Sequence, residues 1–263
     1  MKENNKFKVL FKTNKNSFMP FFTLGDPDFE SSFNLIKSAI DAGADCLELG
    51  IPFSDPIADG PTNQRSMERA LRAGMNFESC LKLIRKIRDY APSLPMGLLL
   101  YYNMIYHRGL EQSLKDLAVA GVDAIVCGDL PIEEGELFDQ LCEKNKIAPV
   151  YIIAPNTPDL RALEIFKKSS DAYAYILSGL GVTGVKDQVA PETILRVQHL
   201  RKLDPSARMM VGFGISKPEQ VKIIWEAGAN GAIVGSYFSN LIEKNLGDLN
   251  KAQNLIKKFI EEL

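Results

Sequence analysis

Short apolar runs alternate with longer stretches in which apolar positions recur every three or four residues. Each run is apolar at consecutive positions, which is typical of strands buried on both faces of a parallel sheet, and the intervening stretches have helical periodicity. We identify eight predicted strands: Phe18–Thr23, Cys46–Leu49, Met96–Tyr101, Ala124–Cys127, Ala148–Ile152, Tyr173–Leu177, Met209–Gly212 and Gly231–Val234.

Amphipathic helices are predicted between these strands. Asp28 is suited to cap the first of them. Near the N-terminus, Phe7, Leu10 and Phe11 can share one face of a further short helix. The predicted helices after the strands are Phe29–Ala42, Phe77–Tyr90, Glu111–Ala120, Glu133–Asn145, Asp159–Lys168, Pro191–Leu203, Lys217–Ala227 and Leu249–Glu262.

One junction recurs three times, as A-G-A-D at Ala42–Asp45, A-G-V-D at Ala120–Asp123 and A-G-A-N at Ala227–Asn230. In each copy a Gly ends a helix and an apolar strand follows, which predicts repeated αβ units and a parallel sheet. Eight strand–helix pairs in 263 residues favour an α/β fold, the (β/α)8 TIM barrel, with an extra N-terminal helix that closes one end. A doubly wound open sheet is the alternative. Because no linker or composition break divides the chain, we expect a single domain over residues 1–263.

Composition narrows the possible partners and compartment. The net charge of −2 gives no reason to expect nucleic acid or an anionic membrane as a partner. The longest apolar run, Met96–Tyr102, is much shorter than the roughly 18 residues of a membrane span. The N-terminal segment lacks the apolar core of a signal peptide, and the four cysteines include no C-x-x-C pair. We therefore expect reduced thiols and a cytoplasmic protein.

Candidate chemistry begins with Glu48, a carboxylate inside an apolar strand. A charge in such a place costs several kcal/mol unless it is paired, so it is neutral, hydrogen-bonded or catalytic. Ser54, Asp55 and Asp59 follow in a loop rich in Pro and Gly. In a barrel these groups would stand at the C-terminal ends of the strands, where active sites of this fold lie.

Other mechanisms lack support at those strand ends. No lysine ends a predicted strand, which disfavours an imine mechanism. His107 lies in a loop and His199 in a surface helix, so neither a zinc site nor a Ser/His/Asp triad is indicated. Oxygen ligands for Mg²⁺ are present, but no specific metal pattern is, and we predict no metal.

Glycines cluster after the last three predicted strands, at Gly179–Gly184, Gly212–Gly214 and Gly235–Ser236. Exposed backbone N–H groups beside helix N-termini bind phosphate, and this is the usual phosphate position in the fold. Apolar side chains at the other strand ends indicate a flat hydrophobic subsite: Phe21, Leu99, Tyr101 and Phe213. The residues therefore predict a phosphorylated substrate handled by acid–base carboxyl groups, a class that includes both isomerases and lyases.

The stretch L-E-L-G-I-P-F-S-D-P-I-A-D-G-P, Leu47–Pro61, resembles the signature of the tryptophan synthase alpha subunit family. Further matches follow in order along the chain: P-F-F-T-L-G-D-P at Pro20–Pro27, G-L-L-L-Y-Y-N at Gly97–Asn103, G-D-L-P at Gly128–Pro131, A-P-N at Ala154–Asn156, G-V-T-G at Gly181–Gly184, G-F-G-I-S at Gly212–Ser216 and G-S at Gly235–Ser236. The resemblance implies a (β/α)8 barrel that cleaves indole-3-glycerol phosphate to indole and glyceraldehyde 3-phosphate. It also implies an α2β2 heterotetramer, with pyridoxal phosphate on the beta subunit and no cofactor in this chain.

By position, Glu48 resembles the family's general acid/base, Asp59 its second catalytic carboxylate and Tyr175 a residue beside them. Asp55 and Thr183 resemble the pair that closes two loops and signals to the partner. Together with the strand-end residues above, we expect substrate contacts from Phe21, Leu99, Tyr101, Thr183 and Phe213, and phosphate contacts from Gly184, Gly214, Gly235 and Ser236.

The loops after the second and sixth predicted strands depart from the family pattern at three positions. Asn63 and Arg65 stand where many relatives have an apolar residue and then a small one, and Val185 replaces a common small residue. Both loops must close over substrate to exclude water. A second hypothesis is therefore a catalytically weakened alpha subunit that acts mainly by activating its beta partner.

Overall fold

The strands form one closed parallel barrel. The structure, a computed structural model, describes residues 5–14, 16–179, 189–212 and 214–263. In the described chain the strands are β1 Ser17–Thr23, β2 Leu47–Gly50, β3 Met96–Leu100, β4 Ala124–Cys127, β5 Ala148–Val150, β6 Ile152–Ile153, β7 Ala174–Leu177, β8 Met209–Gly212 and β9 Gly231–Val234. The spatial order runs from β5 through β4, β3, β2, β1, β9, β8 and β7 to β6, and every pairing is parallel.

Closure occurs at Tyr151, the residue between β5 and β6. β5 pairs with β4, β6 pairs with β7, and the two segments are consecutive in the chain. They therefore occupy one barrel position, so the nine strands fill eight positions. This confirms the predicted (β/α)8 TIM barrel and excludes the open sheet.

Helices surround the barrel: α1 Lys6–Thr13, α2 Phe29–Asp41, α3 Pro61–Arg72, α4 Phe77–Tyr90, α5 Tyr102–Arg108, α6 Leu110–Ala120, α7 Glu136–Lys144, α8 Asp159–Lys168, α9 Pro191–Leu203, α10 Pro218–Glu226, α11 Ser236–Lys244 and α12 Leu249–Glu261. As predicted, Asp28 caps α2, accepting a hydrogen bond from the Ser31 N–H at 2.9 Å. Of the helices in the described ranges, none combines the length and apolar character that crossing a membrane requires.

Three helices were not predicted: α3, α5 and α11. The buried positions of α3 are Asn63, Ser66, Met67 and Ala70, so its inner face is mostly polar or small and shows no apolar stripe. The predicted helix Glu133–Asn145 is also divided, into a 3-10 turn Ile132–Glu134 and α7.

Two cores lie on the two faces of the sheet. Alternate residues of each strand point outward against the helices, and this larger core includes Phe22, Leu49 and Leu98. The other residues point inward and fill the barrel, for example Met19 and Met210. Glu48 shares this inward set, in register with Phe21 of β1 and Gly97 of β3.

α1 closes the N-terminal end of the barrel, as predicted. Phe7 is fully buried and its ring lies edge-on to Tyr173, with 5.2 Å between ring centroids. Asp123 fixes the helix from the barrel side, because its carboxylate accepts from Lys6 Nζ at 2.9 Å and its carbonyl accepts from Asn5 Nδ2 at 2.8 Å. The opposite end of the barrel is left for the site.

Candidate active site

A cavity of about 710 Å³ opens at the C-terminal ends of the strands. Its described lining combines apolar side chains with two buried carboxyl groups, Glu48 and Asp59. The lining residues are Phe21, Glu48, Ile57, Ala58, Asp59, Asn63, Leu99, Cys127, Gly128, Asp129, Leu130, Pro131, Ile132, Tyr151, Ile152, Arg161, Ile165, Tyr175, Leu177, Gly214, Ile233, Gly235 and Ser236. A cavity of this size accommodates a small organic substrate.

Glu48 extends from β2 into the cavity from the barrel interior. Its side chain is only 2% exposed, and no described residue makes a hydrogen bond to Oε1. Burial, followed by the nearby charge of Asp59, raises the pKa of Glu48 from 4.5 to about 8. The carboxyl group is therefore largely protonated at neutral pH and can both donate and recover a proton.

Asp59 lies in the loop between β2 and α3 and is 5% exposed. Its Oδ2 accepts a hydrogen bond from the Tyr101 hydroxyl at 2.6 Å, and its Oδ1 accepts one from Asn63 Nδ2 at 3.0 Å. Burial raises the pKa of Asp59, while these two donors oppose the rise by stabilising the carboxylate. Asp59 is thus held as a hydrogen-bond acceptor on the cavity wall.

Tyr101 stands behind Asp59 and not on the cavity wall, where we expected it as a substrate contact. The side chain is 1% exposed and stacks on Phe53, with 5.3 Å between ring centroids. Its hydroxyl accepts a hydrogen bond from the Ala58 N–H at 3.1 Å while donating to Asp59. The reason is the loop: Ala58 and Asp59 fold across the end of β3 and cover the phenol.

Tyr175 reaches the cavity from β7, and its position depends on a glycine of the neighbouring strand. A Cβ atom at Gly212 would lie 2.1 Å from the Tyr175 hydroxyl oxygen. Only a residue without a side chain leaves room for the phenol here. Burial and the nearby charges of Glu48 and Asp59 raise the pKa of Tyr175, so its hydroxyl stays protonated.

The far wall is formed by backbone around the start of α11. Gly214, Gly235 and Ser236 line the cavity there, and no described side chain caps α11. Uncapped N–H groups at a helix N-terminus attract anions. The ring of Phe21 packs against the same backbone. A Cβ atom added at Gly235 would lie 3.1 Å from this ring, and one added at Gly50 would lie 2.7 Å from it.

The structure brings most of the predicted site residues to this one cavity: Glu48, Asp59, Tyr175, Phe21, Leu99, Gly214, Gly235 and Ser236. Asp55 is exposed, beside Ser54, and does not line it. Thr183, Gly184 and Phe213 lie outside the described residues, as does Val185. Within the described ranges, no group of three or more His, Cys, Asp or Glu side chains is arranged to hold a metal ion.

The polar lining residues that were not predicted in these roles include Asn63 and Asp129. Asn63 follows Asp59 by four residues, which places its amide beside the carboxylate once α3 is formed. The only sequence signal for α3 was Gly60-Pro61, which is typical of a helix start. Asp129 lines the cavity and accepts a hydrogen bond from the Tyr102 N–H at 2.7 Å.

A parallel (β/α)8 barrel with two buried carboxyl groups at the C-terminal mouth defines an acid–base enzyme of the TIM-barrel class. The family model described as the tryptophan synthase alpha chain matches residues 7–263. The chain belongs to the tryptophan synthase alpha chain family.

Individual relatives agree with this assignment over nearly the whole chain. The tryptophan synthase alpha chain of Methanothermobacter thermautotrophicus is 45% identical over 232 residues, which cover 88% of this chain and 85% of the relative. That of Citrobacter koseri is 41% identical, covering 97% and 95%. A chain from the structure of the Pyrococcus furiosus tryptophan synthase α2β2 complex superposes with a TM-score of 0.86 at 35% identity, covering 94% of this chain and 97% of that one.

Proposed function

We propose that this chain cleaves indole-3-glycerol phosphate to indole and glyceraldehyde 3-phosphate, with Glu48 and Asp59 as the acid–base groups. The observation that carries the assignment of roles is the placement of both buried carboxyl groups on one cavity, opposite an uncapped helix N-terminus. Family membership supports the reaction itself, a carbon–carbon lyase half-reaction.

Protonated Glu48 delivers a proton to C3 of the indole ring, which becomes a cationic indolenine. The same carboxylate then accepts the proton of the side-chain hydroxyl next to the ring. As that proton leaves, the bond between C3 and the side-chain carbon breaks, its electron pair returns to the ring, and the hydroxyl carbon becomes the aldehyde. Protons and electrons balance, and Glu48 ends protonated.

Asp59 stabilises the cationic intermediate by accepting a hydrogen bond from the indole N–H. A fixed anion in a water-poor cavity is most effective where charge develops. Tyr101 and Asn63 occupy one acceptor position on each oxygen, and each carboxylate oxygen can accept a second bond. The carboxylate therefore has capacity left for the substrate. Phe21 and Leu99 provide apolar wall for the ring.

The phosphate group is proposed to bind at the N-terminus of α11, on the backbone N–H groups of Gly235 and Ser236 with Gly214 beside them. Thr183, Gly184 and Phe213 lie outside the described residues. We propose that they complete the substrate contacts. Asp55 and Thr183 are proposed to close the loops and signal to the partner.

The partner is proposed to be a tryptophan synthase beta subunit in an α2β2 heterotetramer, as in the P. furiosus complex. This chain would need no cofactor of its own, pyridoxal phosphate belonging to the beta subunit, and it would act in the cytoplasm. The second hypothesis, that this alpha subunit mainly activates its partner, rests in part on Arg65 as a residue that would impair loop closure. The position of Arg65 gives it little support. That side chain pairs with Glu243 at 2.7 Å and does not line the cavity.

Indole release from the phosphorylated substrate, with and without a beta partner, tests the proposal. We expect Glu48→Gln and Asp59→Asn each to lower kcat/KM by at least 100-fold, a common effect for an acid–base group. Glu68→Gln on α3, an exposed residue, is the control and should match the parent. Parental rates in both site variants would refute the assigned roles. Stimulation of the beta partner by a parent chain that releases no indole would favour the second hypothesis.

A further inference from the structure

Asn63 connects the second carboxylate to a helix on the far side of the loop. Its Nδ2 donates to Asp59 Oδ1 at 3.0 Å, and its Oδ1 accepts from Ser239 Oγ of α11, also at 3.0 Å. Asn63 is 6% exposed and Ser239 is 3% exposed. A continuous buried path of hydrogen bonds thus runs from Ser239 through Asn63 and Asp59 to Tyr101.

We propose that Asn63 is a positioning residue, which holds the Asp59 carboxylate on the cavity wall before substrate binds, and that Ser239 holds Asn63 in turn. This inference rests on the proposed function of Asp59. It concerns Asn63, which stands at a position where many relatives have an apolar residue.

The path orients the amide in one direction. Ser239 donates to Asn63 Oδ1, so the amide NH₂ group is the part that faces Asp59. The backbone of Asn63 is also held, because its carbonyl accepts from Ser66 Oγ at 2.7 Å and that hydroxyl lies 2.6 Å from Thr23 Oγ1 of β1. Position 63 is therefore anchored to both α11 and the barrel, which makes it a rigid base for a loop residue.

The chemical consequence is that the ionised form of the Asp59 carboxylate is stabilised and its orientation is fixed. Asp59 faces Glu48, Tyr175 and Tyr101, and Gln64 holds only its backbone carbonyl, at 2.8 Å. None of these neighbours supplies a positive charge. Arg161 is the one cation among the described lining residues of the cavity, and it pairs with Glu133 at 2.8 Å. Ionisation of Asp59 therefore depends on hydrogen-bond donors, and Asn63 is one of the two that reach the carboxylate among the described residues.

The test compares four variants by the pH profile of kcat/KM for indole release and by kcat and KM at neutral pH. Asn63→Leu keeps a similar volume and removes the amide, and Asn63→Ala removes the side chain. Ser239→Ala frees the amide without touching Asp59. Arg65→Ala is the matched control, because Arg65 joins the same two helices through Glu243 but lies away from Asp59.

Both Asn63 variants should move the acid limb of the profile upward by about one pH unit and lower kcat at neutral pH about tenfold, with KM changed less than about threefold. The limb moves upward because loss of a donor favours the protonated form of Asp59. Ser239→Ala should move the limb in the same direction by a smaller amount, and it carries the test if the Asn63 variants do not fold. Arg65→Ala should leave the profile unchanged.

A parental profile in Asn63→Leu, or in Ser239→Ala if that variant alone folds, would overturn the inference. An equal shift in Arg65→Ala would also overturn it, because docking of α3 on α11 would then be the cause. Glu48→Gln in the same assay separates the two levels of argument. If that variant loses activity while the Asn63 variants do not, only the positioning role fails; if it stays active, the proposed function fails first.

Discussion

Glu48 is placed where folding alone would disfavour it. The carboxyl group is buried, its Oε1 is without a hydrogen bond from any described residue, and the charge of Asp59, which raises its pKa further, is negative. Burial of an unpaired polar group destabilises a folded protein by about 1–3 kcal/mol. The same surroundings keep the proton available at neutral pH. Stability and chemistry therefore oppose each other at this residue.

Replacing Glu48 with Met should stabilise the protein increasingly as pH rises. The group binds its proton more tightly in the folded chain, so its contribution to stability is complete below 4.5, the ordinary pKa, and is lost as pH rises through about 8. We expect Glu48→Met to raise the free energy of unfolding by about 2 kcal/mol at pH 8 and by less at pH 4. Urea unfolding at several pH values measures this, with exposed Glu68→Met as control. A gain that does not vary with pH would contradict it.

At the scale of elements, the strands could be predicted and the helices at the mouth could not. Strands such as Ala124–Cys127 are apolar at every position because both faces of a parallel sheet are covered. Helix α3 buries Asn63 and Ser66, and those side chains serve the site and its anchoring. A helix whose inner face is polar for functional reasons has no apolar stripe to reveal it.

The site was predictable to a similar, partial extent. Glu48 could be identified from the residues alone, because a charge within an apolar strand is unusual. Asp59 was a candidate because it lies in a loop with several acidic and hydroxyl side chains, and its role was inferred from the family resemblance. Its hydrogen bonds could not be predicted, because they depend on how Tyr101 and Asn63 meet across two different elements. The fold of the loop after β2 decides those contacts.

Because β7 pairs with β8, Gly212 lies beside Tyr175, and we expect a side chain at position 212 to be unfavourable. Because a Cβ atom there would lie 2.1 Å from the Tyr175 hydroxyl oxygen, Gly212→Ala must displace the phenol or the strand. We expect a loss of about 1–3 kcal/mol in stability, as for other overpacked cores, and a fall in kcat/KM of at least tenfold. Urea unfolding and indole release measure the two effects.

A double variant separates the cause of the Gly212 effect. In a Tyr175→Ala background the added methyl group meets no ring, so Gly212→Ala should then cost little further stability. Gly247→Ala, where an added Cβ meets nothing within 4 Å, is the control and should stay within about 0.5 kcal/mol of the parent. An undiminished loss in the Tyr175→Ala background would show that the phenol is not the obstacle.

Across the whole molecule, the two ends of the barrel have different tasks. The C-terminal end carries the cavity and its buried polar groups. The N-terminal end is closed by Phe7, which packs on Tyr173 and close to Gly97 of β3. Stabilising contacts at one end can offset the unfavourable burial of Glu48 at the other, because both belong to one closed sheet.

This division predicts that Phe7→Ala lowers stability without altering catalysis. Removal of a fully buried phenyl ring typically costs about 3–5 kcal/mol, so we expect a loss of that order in urea unfolding. Val9→Ala on the same helix, where the side chain is 52% exposed, is the matched control and should cost much less. At a temperature where both variants are folded, kcat/KM for indole release should equal that of the parent. A parallel fall in kcat/KM would mean that the N-terminal end also sets the geometry of Glu48, since Gly97 of β3 lies close to Phe7 and is in register with Glu48.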